Sequence, residues 1–278
     1  MSRISNSGKY PAVSGMSATL KAVVAAVKLV AAEEVMPRYL KVAHQRKSDG
    51  SLCTEADIAA QAALTRKLQA ILNAPVLGEE MPATEQRVLW QSGHADLWCI
   101  DPIDGTSNFV RGLPYFALSV ALLREGKSQL GVVYDPVADE VFAAESGKGA
   151  FLNGEALVKR ETVDSLQHAL ANVDLKRLGA KLVTQLSSDP PYASQRNFGA
   201  SALDWCYTAA GRYDLYLHGG QKLWDYAAGS LILREAGGHA CCIECDDFAR
   251  GDIWQRSVIA ASDSKLFDAW KNWIRAQA

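Results

Sequence analysis

The sequence carries almost no net charge. Its 29 lysines and arginines face 31 aspartates and glutamates, so the formal charge is −2. A balanced charge provides no bulk attraction to nucleic acid or to an anionic membrane surface, and we expect neither partner. Any anionic ligand must therefore be bound by a local source of positive charge.

Long apolar runs are also missing. The most apolar helical stretch, residues 20–32, contains Lys21 and Lys28. It is shorter than the roughly 20 apolar residues that a helix needs to cross a bilayer. Residues 1–15 are polar and lack the apolar core of a secretory signal. We therefore expect a soluble, cytoplasmic protein.

Cysteine is too sparse and too irregularly placed for a disulfide scaffold, with six in 278 residues. Three of them, Cys241, Cys242 and Cys245, have the close spacing of zinc ligands. No second Cys/His pair with suitable spacing lies nearby in the sequence, and a strand would send Cys241 and Cys242 to opposite faces. We favour small, half-buried strand residues over a zinc site.

Helical and strand patterns alternate along the chain, without repeats or low-complexity linkers. Helical spacing covers residues 18–39, 55–73 and 224–238, and residues 54–57, from Thr54 to Asp57, form a helix-start signal for the second of these. Strand-like runs occupy 75–78, 96–100, 116–125 and 129–136, and 140–154 has the pattern of a hairpin. This mixture predicts a layered fold of the α/β (α+β) class.

Two aspartates follow an apolar run in the stretch WCIDPIDGTSNFVRG, residues 98–112. Pro102 predicts that the strand ends in a turn, so Asp101 and Asp104 both lie at a strand end. Two carboxylates held close together repel each other unless a cation or a shared proton lies between them. Oxygen ligands favour a hard ion such as Mg²⁺. The alternative is an Asp-rich turn that caps the next helix.

Two further segments each provide acids after an apolar run. Glu79 and Glu80 follow residues 75–78, and Asp225 lies between Trp224 and an alanine-rich helical stretch. Each acid alone is more often a helix cap or a surface group. Together with the first pair they favour a site in which oxygen ligands hold several metal ions.

Two long motifs resemble the signatures of the inositol monophosphatase family, whose members are Mg²⁺-dependent, lithium-sensitive phosphatases. DPIDGTSNF at 101–109 resembles the first signature, and LWDYAAGSLILREAGG at 223–238 is similar to the second. Shorter agreements occur at 78–80, 131–136, 147–154 and 199–216. The resemblance extends in the right order from about Lys47 to Ser262.

The resemblance implies a fold and a reaction. The fold is a layered αβαβα sandwich of the inositol monophosphatase / fructose-1,6-bisphosphatase type. It implies a single domain over residues 1–278, with possible halves at about 17–155 for the metal site and about 156–278 for the substrate site. The reaction is hydrolysis of a small phosphorylated metabolite by in-line attack of a metal-activated water. Two or three Mg²⁺ ions, inhibition by lithium and a homodimer are also implied.

The family's functional residues transfer to particular positions of this chain. The implied metal ligands are Glu79, Asp101, the carbonyl of Ile103, Asp104 and Asp225. The implied substrate and phosphate contacts are Gly105, Thr106, Ser107, Ser201 and His218. Thr106 also takes the role of the threonine that orients the attacking water together with an aspartate.

This chain departs from the family's pattern at two positions, and the first is the position of the water-orienting aspartate. Ser51 stands where many members have it, and Asp49 lies two residues earlier in a context that resembles bisphosphate nucleotidases. We assign the role to Asp49. His218 stands where inositol phosphatases often carry a glutamate that contacts sugar hydroxyls. Lys176 and Arg177 would suit a second phosphate if they faced the site, although solvated helix charges are the simpler interpretation.

The substrate therefore stays open at the level of the sequence. Inositol monophosphate or a similar polyol or sugar phosphate is the first hypothesis. Fructose-1,6-bisphosphatase, 3'(2'),5'-bisphosphate nucleotidase and histidinol-phosphate phosphatase are alternatives within the same chemistry. A different class is a catalytically weak binding or regulatory protein, for which Ser51 is the sign.

Overall fold

The computed structural model describes residues 15–41, 44–46 and 52–277. Asp49 and Ser51 lie outside the described residues, so their assignment stays a prediction. No described helix combines the length and the apolar character that crossing a membrane requires.

Eight α-helices and fourteen strands make up the described chain. The helices are α1 (Ala18–Val30), α2 (Glu55–Ile71), α3 (Ala83–Gln91), α4 (Thr106–Arg111), α5 (Ala180–Ser188), α6 (Ser201–Ala209), α7 (Leu223–Glu235) and α8 (Ser264–Gln277). The strands are β1 (His44–Arg46), β2 (Leu52–Thr54), β3 (Val76–Gly78), β4 (Asp96–Asp104), β5 (Ala117–Arg124), β6 (Lys127–Asp135), β7 (Glu140–Glu145), β8 (Gly149–Leu152), β9 (Glu155–Ala156), β10 (Leu170–Asp174), β11 (Ser194–Arg196), β12 (Leu215–Gln221), β13 (His239–Cys241) and β14 (Arg256–Ala261).

The described strands form one large sheet, one medium sheet and a small pair. The large sheet has seven strands in the order β3-β4-β5-β6-β7-β8-β9, and only its β3-β4 pair is parallel. The medium sheet has the order β11-β10-β12-β14-β13. Strands β1 and β2 pair separately, just before α2.

Side-chain alternation along the strands builds five layers. On β4, Trp98 and Ile100 join the core formed with α1 and α2, whereas Leu97 and Cys99 join the core formed with α6 and α7. On β12, Tyr216 faces that second core, and Leu215 and Leu217 pack with α5 and α8. Because successive strand residues point to opposite faces, both sheets are covered on both sides. The predicted αβαβα sandwich is thereby confirmed.

The first two predicted helices lie where the sequence indicates them. The predicted helix 18–39 is α-helical only to Val30, then widens into a π-helical turn at Ala31–Val35 and a short 3₁₀ turn at Met36–Arg38. Pro37 has no amide proton and cannot donate to the carbonyl of Glu33, so the α-helical hydrogen bonding is interrupted before residue 39. The helix predicted from residue 55 begins there as α2, and the side chains of Thr54 and Asp57 cap it reciprocally.

The predicted end of the strand at Pro102 is wrong. Strand β4 runs through Pro102 to Asp104, and its pairing with β5 shifts register between Asp101 and Asp104. A proline is compatible with the interior of a sheet where the hydrogen-bond ladder is interrupted in this way. Because the irregularity requires no ladder hydrogen bond from Pro102, the strand continues past it.

Candidate metal centre

The parallel pair β3 and β4 brings the first two acids together. Gly78 lies opposite Ile100, and the amide of Glu79 donates to the carbonyl of Ile100 at 3.2 Å. Glu79 and Asp101 therefore leave the same edge of the sheet side by side. The charge of Glu79 therefore acts directly on the carboxyl of Asp101 and, after burial, is the largest cause that raises its pKa.

The irregularity in β4 brings in the third acid. In a regular strand, residues three apart point to opposite faces, so Asp101 and Asp104 would separate. The register shift between them removes this restriction. Asp101 Oδ1 accepts from the amide of Ile103 at 3.1 Å, and Asp104 Oδ2 accepts from the amide of Ala202 at 2.6 Å. Backbone amides thus hold both carboxylates.

Asp225 completes the cluster from the first turn of α7. Its Oδ2 accepts from the amide of Lys222 at 2.8 Å, which fixes the side chain against the helix start. Ligand oxygens of Asp101, Asp104 and Asp225 all lie within 4.8 Å of one another. Asp101 is 1% exposed and Asp104 8% exposed, so water does little to screen this negative charge.

The proximity of these acids perturbs their ionisation. Burial, followed by the charges of Glu79, Asp104 and Asp225, raises the pKa of Asp101 well above its usual range. Burial and the charge of Asp225 do the same to the pKa of Asp104. Burial and the charge of Glu79 raise the pKa of Asp225 to about 6. The common cause is the concentration of negative charge away from water.

The donor set fits a hard divalent cation. All three clustered side chains offer carboxylate oxygens, which suit Mg²⁺, and the same proximity that is unfavourable for carboxylates alone is favourable around a cation. Among the described residues, the cysteines belong to no comparable cluster. Cys241 and Cys242 are each 1% exposed, not half-buried as predicted, and only Cys241 lies in a strand.

Thr106 lies next to this cluster, at the start of α4. Its Oγ1 donates to the carbonyl of Ile103 at 3.0 Å, so a predicted carbonyl ligand and the predicted water-orienting hydroxyl are adjacent. Gly105 precedes the helix with φ of 86°, a left-handed conformation that glycine adopts without strain. The first amides of a helix lack intrahelical acceptors and point out of its start.

Asp57 is a residue near the site that the sequence indicated only as a helix cap. Its Oδ2 accepts from the amide and the hydroxyl of Thr54, at 2.7 and 2.6 Å. Its Oδ1 lies 3.4 Å from Thr106 Oγ1. Burial is the main cause that raises the pKa of Asp57 to about 6. The capping motif at residues 54–57 was visible in the sequence, but its contact with Thr106 joins positions 49 residues apart and was not.

The segment at the start of α6 supports the cluster from the other side. Ser201 is the first residue of α6, next to the Ala202 amide that binds Asp104. Asp204, one turn into the helix, accepts at Oδ1 from Tyr115 Oη at 2.8 Å and from Asn172 Nδ2 at 2.6 Å. Asp204 is buried, and this burial raises its pKa to about 7.

His218 is buried in β12 with both ring nitrogens in contact with polar groups. Nδ1 lies 3.1 Å from the amide of Gly220, and Nε2 lies 3.4 Å from Asp174 Oδ2. Because an amide nitrogen can only donate, Nδ1 must be the acceptor, and the ring proton is on Nε2, toward Asp174. Hydrogen bonding with His218 lowers the pKa of Asp174 to about 2. Lys176 and Arg177 follow in an exposed 3₁₀ turn.

Comparison with known proteins agrees with the fold and the motifs. Residues 15–275 match the model described as the inositol monophosphatase family. A Nus factor SuhB of Pasteurella multocida is 42% identical over 165 residues, which span 57% of this chain and 61% of that protein. An inositol-1-monophosphatase of Caulobacter vibrioides is 34% identical over 228 residues, 80% of this chain and 86% of that one. The structure of extragenic suppressor protein suhB from Bartonella henselae superimposes with a TM-score of 0.80 at 27% identity, covering 94% of this chain and 100% of that one.

Replacing Asp101 by asparagine should stabilise the metal-free protein, because it removes one of several clustered negative charges. We expect the midpoint of thermal unfolding in chelator to rise by a few degrees, since about 1 kcal/mol corresponds to roughly 2–4 °C in a chain of this size. Adding Mg²⁺ should raise the midpoint strongly in the wild type and little in Asp101→Asn. Asp268→Asn, an exposed acid of α8, is the control. Equal Mg²⁺ gains in all three proteins would contradict the metal site.

Asp204 should make the metal-free protein less stable as the pH rises. Its folded pKa of about 7 lies above the ordinary value near 4, so between these values the folded state keeps a proton that the unfolded chain loses. This contribution to the free energy of unfolding is complete below about pH 4 and lost above about pH 7. Asp204→Asn keeps an acceptor for Tyr115 and Asn172 without the charge.

Urea unfolding in chelator from pH 4 to 8 measures this difference. The stability of Asp204→Asn relative to wild type should increase with pH, by at most about 1.4 kcal/mol per unit. Parallel curves for the two proteins over this range would show that Asp204 is ionised in the fold.

Proposed function

Because the chain belongs to the inositol monophosphatase family, we propose that it is a Mg²⁺-dependent phosphatase of small phosphate monoesters. The observation that carries the proposal is the cluster of Asp101, Asp104 and Asp225, with ligand oxygens within 4.8 Å of one another and the first two residues buried. Such a cluster is costly as a purely structural feature, since it concentrates like charge away from water. It is useful where a cation must be held beside a phosphate.

The metal ligands of the proposal are Glu79, Asp101, the Ile103 carbonyl, Asp104 and Asp225. Two or three Mg²⁺ ions bound there would supply positive charge for the phosphate oxygens and for activation of water. The amides of Ile103, Ala202 and Lys222 orient the three aspartates, so the ligands are held in place before a cation arrives. This preorganisation lowers the cost of binding.

Thr106 would orient the attacking water. Its hydroxyl has one proton, which it donates to the Ile103 carbonyl, and its lone pairs are available to accept a proton from water. Asp57 Oδ1, 3.4 Å from the same hydroxyl, is an alternative acceptor for that proton. Asp49 is the proposed carboxylate that accepts the proton of the water. The roles of Thr106 and Asp49 rest on the family resemblance.

The phosphate would bind at the start of α4. The amides of Gly105, Thr106 and Ser107 are the first of the helix, and such amides bind anions because their protons have no helical acceptor. Ser201 would contact the substrate from the start of α6. Its neighbour Ala202 binds Asp104, which supports a position at the edge of the same site.

For the organic part of the substrate we propose a polyol, with inositol monophosphate or a similar sugar phosphate as the first candidate. Asp174 and His218 support this choice. His218 is 3% exposed and directs its Nε2 proton to Asp174, whose carboxylate stays ionised and accessible as an acceptor for a hydroxyl. His218 would thus act on the substrate through Asp174. The bisphosphate alternatives require cationic groups that this pair does not provide.

A second candidate function is binding or regulation with weak catalysis. The observation that favours it is that several similar relatives carry the name Nus factor SuhB. If this candidate is right, the protein binds a protein or nucleic acid partner, and the expectation of no nucleic acid binding is wrong. The two candidates separate on turnover, because a carboxylate cluster that holds Mg²⁺ without releasing phosphate from any monoester belongs to the second.

Three further properties belong to the proposal; the first two rest on the family resemblance, and the location rests on the composition of the sequence. Lithium would inhibit by competing for the cation site. The protein would act as a homodimer, and it would be located in the cytoplasm.

Phosphate release from a panel of monoesters is the test of the proposed activity. We expect release from inositol 1-phosphate or a sugar phosphate with Mg²⁺ and none in chelator. Asp225→Asn should lower kcat/KM by at least about 10²-fold, because it removes a charged ligand and leaves the others mispaired. Near-normal turnover of Asp225→Asn at saturating Mg²⁺ would refute the assignment. Asp268→Asn again serves as the exposed control.

His218→Gln tests the proposed substrate contact. Glutamine can still donate to Asp174, but it lacks the rigid ring that fixes the carboxylate. We expect the ratio of kcat/KM values for inositol 1-phosphate and for a substrate without ring hydroxyls to change. In free energy of activation the change should correspond to about 1–2 kcal/mol. His168→Gln, which replaces an exposed histidine, is the matched control. An equal loss on both substrates would indicate a role in bond cleavage or folding instead.

A further inference from the structure

Glu79 differs from the other proposed side-chain ligands in how its position is set. It lies outside the group of aspartates whose ligand oxygens are within 4.8 Å of one another, and it is half-buried. It also lies in a turn after β3, in which the amide of Met81 donates to the carbonyl of Gly78 at 3.3 Å. Turns are more mobile than the elements that they connect. The position of the Glu79 carboxylate therefore depends on what holds this turn.

Gln86 of α3 holds the turn from one side. Its Nε2 donates to the carbonyl of Gly78 at 2.9 Å and to the carbonyl of Glu79 at 3.1 Å. Because carbonyl oxygens only accept, the nitrogen of the side-chain amide must face them. Gln86 is 6% exposed, so water cannot easily replace the side chain as the donor. Two hydrogen bonds of Gln86 thus fix the backbone on both sides of the Glu79 amide.

Gln61 of α2 holds the turn from the other side. Its Oε1 accepts from the amide of Glu80 at 2.9 Å. Gly78 provides the space for this contact, since a Cβ at residue 78 would collide with the Gln61 side-chain amide. Asp57, whose Oδ1 lies near Thr106, is four residues before Gln61 and so on the same face of α2. One face of this helix therefore contacts both the Glu79 turn and the start of α4.

Three elements engage the backbone around Glu79. Its amide donates to the carbonyl of Ile100 on β4 at 3.2 Å, its carbonyl accepts from α3, and the next amide donates to α2. The bond to β4 joins two backbone groups and forms whatever the side chains are. The bonds to α2 and α3 need a glutamine, because each uses one end of a side-chain amide. The sequence thus spends two specific side chains on one turn.

We propose that Gln61 and Gln86 are positioning residues for Glu79 and set the affinity of the protein for the cation that Glu79 helps to bind. The inference rests on the proposed metal site and adds two residues that act through the backbone of residues 78–80. They hold the Glu79 carboxylate beside Asp101 before a cation arrives, which lowers the cost of binding. Residues that orient a metal ligand typically contribute about 10–100-fold to metal affinity.

Titration with Mn²⁺, with the free ion measured by electron paramagnetic resonance, tests the proposal without any turnover. Mn²⁺ shares the preference of Mg²⁺ for oxygen ligands. We expect Gln86→Met and Gln61→Ala each to weaken Mn²⁺ binding by about tenfold or more, at a temperature where circular dichroism shows both to be folded. Gln195→Met is the matched control, since Gln195 Nε2 also donates to a backbone carbonyl, that of Val173 in the other sheet. It should bind Mn²⁺ like the wild type.

Asp101→Asn separates failure of the metal site from failure of the positioning role. If the wild type does not bind Mn²⁺, or Asp101→Asn binds it equally well, the metal site is wrong and the positioning role is lost with it. If the wild type binds, Asp101→Asn does not, and both glutamine variants bind like the wild type, the metal site stands and the positioning role is overturned.

The close contact between Gly78 and Gln61 provides a second test, which does not need Gln86→Met to fold. Gly78→Ala adds a methyl group that must displace the flexible Gln61 side chain from the Glu80 amide. It should weaken Mn²⁺ binding about fivefold or more in the wild type and by less than about twofold in Gln61→Ala, because groups in contact are not additive. An equal loss in both backgrounds would show that Gly78→Ala acts without Gln61, and would overturn the role of Gln61.

Discussion

The repulsion among Asp101, Asp104 and Asp225 is the constraint on which the rest of the structure depends. Their ligand oxygens lie within 4.8 Å of one another, and two of the three residues are buried. Unscreened like charge at this distance costs several kcal/mol in a medium of low polarity. A fold can maintain such a cluster only if every element around it is held by its own interactions, and if a cation offsets the cost in the working protein.

Each element around the cluster meets that requirement separately. Strand β4 is held between β3 and β5 in the seven-stranded sheet, and α7 is buried between the two sheets against both. The acids emerge where these elements start or end, so their positions follow from packing in layers far larger than the site. Backbone amides then fix the carboxylates locally, at Ile103, Ala202 and Lys222. Packing of the hydrophobic core therefore offsets the free energy that repulsion within the cluster costs.

Local sequence patterns predicted much of this arrangement. Asp101 and Asp104 were recognisable as a costly pair, α2 began at its predicted cap, and the motifs around residues 101–109 and 223–238 indicated the family. The register shift in β4 was not predicted, because pairing with β5 decides it and Pro102 alone suggests a simple strand end. The contacts of Asp57 with Thr106, His218 with Asp174 and Arg256 with Tyr226 join distant segments. No local pattern in a single sequence carries that information.

A crystal structure of the protein soaked in Mn²⁺, with anomalous diffraction data, tests the central claim most directly. Manganese(II) has the same preference for oxygen ligands as Mg²⁺ and a measurable anomalous signal. The account predicts at least one strong anomalous peak coordinated jointly by Asp101, Asp104 and Asp225. Well-ordered density for these three side chains with no anomalous peak between them would contradict the account. Peaks only at exposed acids such as Asp268 would contradict it as well.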